Sequence, residues 1–176
     1  MRVNRNVDPN KVEPGGREYV APGKYHVEVT AAGDKTRNND PDKTFTMVDL
    51  TVRNGTNPDQ VNRVINATYD HYSKNETAER MAQEMIFLFA VQCGLATREE
   101  IADAQKNEKD IVFEWGKAVH KHLVVEIEDQ VDKKDANKVY RGKIKHMCVF
   151  AVDDPRVHDV PKDKDAVQLA DASEMF

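Results

Sequence analysis

The period at which apolar and polar residues recur divides this chain into elements. From residue 23, GKYHVEVTA places Tyr25, Val27 and Val29 on one side and Lys24, His26, Glu28 and Thr30 on the other. That two-residue period is the mark of a half-buried strand. FTMVDLTVRNG repeats it with Val48, Leu50 and Val52, leaving Phe45, Met47, Asp49, Thr51 and Arg53 opposite. VNRVINATYDHY reads as a third strand whose two faces are nearly equal in polarity, so its inside stays open. Residues 73–94, SKNETAERMAQEMIFLFAVQCG, switch to the helical period, with Ala78, Met81, Ala82, Met85, Ile86, Leu88 and Phe89 along one face. Ser73 with Glu76 matches a capping box, and Gly94 supplies a stop. The apolar half, MIFLFAV, is too short to span a membrane and suits a helix plugging a sheet. Thr97 with Glu100 opens a shorter helix ending near Asn107. AVHKHLVVEIEDQV returns to alternation through Val119, Leu123, Val125 and Ile127. After the charged hairpin DKKDANK, VYRGKIKHMCVFAV sets Tyr140, Gly142, Ile144 and Cys148 against Arg141, Lys143 and Lys145.

Three strands, a helix and two strands, joined by hairpin-length loops, predict a mainly β (α+β) antiparallel fold. The OB-fold has this order: a five-stranded Greek-key barrel with a long helix between strands 3 and 4. Residues 23–152 form the expected domain. Residues 1–22, punctuated by Pro9, Pro14, Gly15, Gly16 and Pro22, read as an irregular arm with a short edge strand at residues 18–20. Residues 153–176 lose all periodicity and carry seven acids against three bases. They are expected to be an acidic flexible tail, ending on Phe176.

Composition narrows the function without naming it. With 176 residues, 32% of them charged, and a mean hydropathy of −0.72, the chain is a soluble single domain with a modest core. MRVNRNVDPNKVEPGG holds no apolar leader and no stretch qualifies as a membrane span. Cys93 and Cys148 read as buried free thiols, which places the chain in a reducing cytoplasm, the bacterial host's if it is phage-encoded. No glycine-rich phosphate loop is present, and the six histidines lack ligand spacing. His120 and His122, two apart on a strand, are explained as solvated positions without a metal. Glu126 and Glu128 have no converging acids, and Cys93 has no base. The chain is therefore expected not to be an enzyme and to need no cofactor or metal.

GKYHVEVTAAGDKT, the polar loop after it, FTMVDLTVRNG, RVINATYDHY, the helix ending FAVQCGL and the YRGKIKHM strand resemble a phage and prophage family. That family, long described only as a domain of unknown function, is regarded as single-stranded DNA-binding proteins with an OB-fold. The resemblance covers roughly residues 22–152. It implies binding of single-stranded DNA with little sequence preference, in phage or prophage DNA replication or recombination. The acidic tail with a terminal aromatic is similar to tails by which several single-strand binders dock replication proteins. It implies replication or recombination proteins as partners, with Phe176 as the partner-binding residue.

Single-strand binding needs cations for phosphates and flat side chains for bases. The OB-fold offers the strand 2–3 face and the loops joining strands 1–2 and 4–5. By that analogy the DNA-binding set is Lys35, Arg37, Lys43, Phe45, Arg53, Tyr69, Tyr72, Trp115, Tyr140, Arg141, Lys143 and Lys145. Phe45 and Tyr72 flank polar loops and are the favoured stacking residues, whereas Trp115 and Tyr140 also fit a core. A row of alternating cations also describes an ordinary solvated face. The competing function is a protein-interaction module of the phage replication machinery that does not touch DNA. Site size, DNA-over-RNA preference and homo-oligomer formation are left open by the sequence.

Overall fold

In the computed structural model, which describes residues 1–3, 5, 6, 9 and 18–165, five strands carry the architecture. They are β1 (Gly23–Thr36), β2 (Thr44–Gly55), β3 (Val64–Asp70), β4 (His122–Val131) and β5 (Val139–Ala151). Two helices, α1 (Glu76–Gln92) and α2 (Arg98–Lys106), lie between β3 and β4. All pairings are antiparallel, and the sheet order is β3-β2-β1-β4-β5. β3 and β5 are the edges and do not hydrogen-bond to one another, so the sheet is open where a barrel would close.

The alternation in the sequence sets the inner face. Tyr25, Val27, Val29, Val48, Leu50, Val52, Leu123, Val125 and Ile127 are all buried in one cluster with Met85, Ile86, Phe89 and Ala90 of α1. The undecided third strand turns Ile65 and Ala67 inward, leaving Val64, Asn66, Thr68 and Asp70 exposed. Each buried Val or Leu contributes about 1.5–3 kcal/mol, so the strand registers are strongly held.

Local signals hold at the helix stop and shift at its start. Gly94, at φ 72°, donates to Val91 and Leu95 donates to Ala90, which closes α1 with a Schellman motif. At the other end the cap is Asn75, whose side chain accepts from the Ala78 N–H. Ser73, expected in that role, instead accepts from the Asn75 N–H, while its own N–H donates to Glu79. Thr97 caps α2 as expected.

Three expectations about the flanks are corrected. Residues 18–20 form no strand; Val20 enters the core, Tyr19 lies against Gly142 of β5, and Arg63 donates to the Tyr19 carbonyl. In β5 the alternation breaks. Val125 pairs with Val149 but Ile127 with Ile144, so residues 145–148 bulge, with Met147 at φ 63°. Both Ile144 and Val149 therefore reach the core, and Cys148 turns toward Glu126 rather than sharing the Ile144 face.

The third concerns residues 153–165, expected as the start of a flexible tail. They fold over the outer face of β4, where Val157 and Val160 are 1% and 3% exposed against Val124, Phe150 and Val152. Within this stretch Asp154 caps the turn Pro155–Val157 and pairs with Arg156. Phe176 lies outside the described residues.

Candidate nucleic-acid interface

The hairpin between β1 and β2 is shaped by its own polar residues. Asn38 and Asn39 both take φ 54°, a left-handed conformation that asparagine tolerates, and the Asp40 carboxylate caps the turn Pro41–Lys43. The Arg37 N–H then donates to the Lys43 carbonyl, which sets these two cations side by side at the hairpin end. Register places Lys35 opposite Phe45, and Phe45 opposite Asp70. The Arg37 guanidinium carbon lies 4.4 Å from the centre of the Phe45 ring, and its Nη1 donates to Asp70 at 2.6 Å. Tyr72, two residues beyond Asp70, is 60% exposed, its ring at 74° to that of His71.

From this corner the outer face runs along β2 and β3 through the pairs Phe45–Asp70, Met47–Thr68, Asp49–Asn66 and Thr51–Val64. Asn66 donates to the Asp49 carboxylate, which holds that acid in place across the strand pair. Beneath the corner, Asp34 Oδ1 accepts from the Thr46 hydroxyl at 2.7 Å and from Trp115 Nε1–H at 3.1 Å. His71 lies 2.8 Å from the same hydroxyl. Thr46 is fully buried, so this polar knot ties the hairpin to β3 and to the turn Trp115–Ala118.

Of the twelve residues read from the sequence, the structure gathers five here: Lys35, Arg37, Lys43, Phe45 and Tyr72. Trp115 is 4% exposed and packs on Phe113, so it is a core residue that presents no ring to a ligand. Tyr69 points to the inner side of β3, toward Phe89. Arg53 is eight residues from Phe45 along β2, about 26 Å by strand rise, and is committed to Glu28.

A second group stands at the β4–β5 hairpin, beyond the opposite end of β1. There Tyr140 donates to Asp132 beneath the Lys138 ammonium, and Arg141 and Lys143 are exposed. Lys145 pairs with Glu126 at 3.5 Å. Asp70 and Asp34 are the members that sequence reasoning missed. Only the register, which no periodicity reports, puts Asp70 across from Phe45.

Between the free edges of β3 and β5 lies a cleft of about 320 Å³, lined by residues 65–69, Met81, Met85, Lys143, Ile144 and His146. His146 is held by Glu84 at 2.9 Å. His120 and His122, two apart in sequence, diverge: His120 turns to Glu28, and His122 to His26. Among the described residues no group of three or more His, Cys, Asp or Glu is placed to hold a metal ion. Cys93 and Cys148 are free, and burial pushes the Cys93 thiol up to about 12. Among the described residues no helix is long and apolar enough to cross a membrane. In comparison with known proteins, the chain matches no family model, no curated protein and no solved structure.

Proposed function

We propose that the protein binds single-stranded nucleic acid, DNA by its resemblance to the phage and prophage family, along the outer face of β2 and β3. One observation carries the reading: an open sheet face ends at a corner that combines the exposed cations Lys35, Arg37 and Lys43 with the flat groups of Phe45 and Tyr72. Cations follow phosphates and flat groups stack bases, which is the minimum a single-strand site requires. We read the sheet as an OB barrel left unzipped between strands 3 and 5. Its order is the one obtained by opening such a barrel there, with α1 between the third and fourth strands. In that reading the β1–β2 and β4–β5 hairpins flank the binding face, and Tyr140, Arg141 and Lys143 form its second rim. A role in protecting strands during phage replication or recombination follows from the resemblance.

Fluorescence anisotropy with labelled oligo-dT across a salt series tests the reading, with a duplex of equal length as control. Each phosphate contact contributes a slope of about −0.7 to log K against log salt. The reading requires salt-sensitive binding that prefers the single strand. Binding absent at low salt favours the alternative of a protein-interaction module, and equal binding to duplex overturns the single-strand preference.

A further inference from the structure

Phe45 is not a bare platform. The Arg37 guanidinium covers its ring at 4.4 Å, where the negative face of the aromatic attracts the cation. Asp70, directly across the strand pair from Phe45, grips Arg37 Nη1 at 2.6 Å. Support from the ring below and the carboxylate at the side together restrain a long side chain that would otherwise sample many rotamers. The Arg37 side chain is nevertheless 48% exposed, so the guanidinium surface turned away from Phe45 faces solvent.

We infer that this outward guanidinium face, and not the Phe45 ring itself, is the surface on which an unpaired base stacks, and that Asp70 is the positioning residue that keeps it there. The inference rests on the single-strand reading above. The result is a three-layer stack of Phe45, Arg37 and base. Guanidinium planes and aromatic rings are both used to hold splayed bases, and the cation also attracts the flanking phosphates. Asp70 then exerts two opposed effects. Its charge repels the phosphodiester backbone, while its hold on Arg37 favours the stack. Removing a carboxylate from an anion-binding face ordinarily tightens binding, so the sign of the substitution effect separates the two roles.

The test uses the full chain, with anisotropy against an oligo-dT and against a strand of equal length and charge built from abasic sites. Thermal melts first establish that each variant is folded; Asp70 and Arg37 are both about half exposed, and neither lies in the core. Asp70→Asn is expected to weaken binding to oligo-dT roughly three- to tenfold, a part of the stacking contribution of one base. It should leave binding to the abasic strand unchanged or slightly tighter. Arg37→Lys, which keeps the charge and loses the plane, should weaken oligo-dT binding at least as much. The double variant should be no weaker than Arg37→Lys alone, because the carboxylate acts through the guanidinium. If Asp70→Asn binds oligo-dT as tightly as the wild type or more tightly, the stack is overturned while the single-strand reading stands. Equal loss on the abasic strand overturns the stack as well. A wild type that binds neither strand overturns the reading and the stack together.

Discussion

On the outer face of β4 and β5, Val124, Phe150 and Val152 lie under Val157 and Val160 of the C-terminal segment, and His26 of β1 beside them is fully buried. On the outer face of β2 and β3, Asn66, Thr68 and Asp70 remain exposed beside half-buried Phe45, Met47 and Asp49. The same sheet thus has one half closed by its own chain and one half open. Chemistry separates them. The closed half presents apolar side chains outward and has to be covered. The open half mixes Phe45, Met47 and Val64 with amides, hydroxyls and charges that water satisfies. The covering segment is also fastened by polar contacts: the Asp163 N–H donates to His26 Nδ1 at 2.9 Å, and Lys162 caps the carbonyls of Val157 and Val160. Because His26 Nδ1 accepts there, its proton sits on Nε2 and is donated to His122 Nδ1 at 2.9 Å.

Truncation after Val152 should have the largest effect, because it uncovers the closed half. A flexible acidic tether would be lost without cost to the fold, and its removal would tighten single-strand binding. The structure predicts the opposite for stability. Withdrawing Val157 and Val160 forfeits roughly 3–6 kcal/mol of burial and bares Val124. A urea titration should show a clearly lowered midpoint, and an unchanged midpoint would return residues 153–165 to the status of a loose tail.

Acid should loosen the closed half next. Burial, with His122 beside it, lowers the His26 pKa to about 4; Asp163 opposes the shift, while Lys162 and Arg53 add to it. The ordinary value is 6.5, so the folded state disfavours the proton more than the unfolded state does. Stability from this group is complete above pH 6.5 and is lost as pH falls toward 4, by up to about 3 kcal/mol at 1.36 per unit. Denaturation midpoints measured from pH 7 to 4 should fall steeply in the wild type and less steeply in His26→Leu. Equal slopes would remove His26 from the fastening.

The open half answers to a different measurement. Phe45→Ala, which removes the ring that supports Arg37, should lower single-strand affinity by roughly 1–3 kcal/mol, the worth of the stack, while shifting the melting temperature little. If the variant unfolds instead, Phe45 is a structural residue and the corner loses its platform. The smallest effect belongs to the far rim. Arg141→Ala with Lys143→Ala should flatten the salt slope by at most about 1.4, two phosphate contacts, with stability unchanged.

How much of this was legible depended on whether the signal was periodic. Val27, Leu50 and Leu123 announce their strands and their inward faces by alternation, and Gly94 announces the end of α1. The closed half also left a trace: the run LVV at residues 123–125 is apolar on consecutive positions, which a strand with one wet face does not need. The valines at 157 and 160 are its complement, but they are spaced among acids and prolines, and composition alone reads them as tail. Register left no trace. Asp70 beside Arg37, Asp34 bonded to Trp115, and the bulge that redirects Cys148 all depend on which residues meet across strands. Arg53, Tyr69 and Trp115 were grouped with the corner by residue type, and their strand positions separate them from it.

On the proposed function, the open half of the sheet, and not the closed half, meets the nucleic acid. Titrating isotope-labelled protein with a short oligo-dT and following backbone amide shifts by NMR tests it directly. Shifts should concentrate in residues 35–51 and 64–72, with smaller changes near Arg141 and Lys143. The amides of Val124, Phe150, Val157 and Val160 should stay in place. Shifts centred on those four residues, with the β2–β3 face silent, would contradict it.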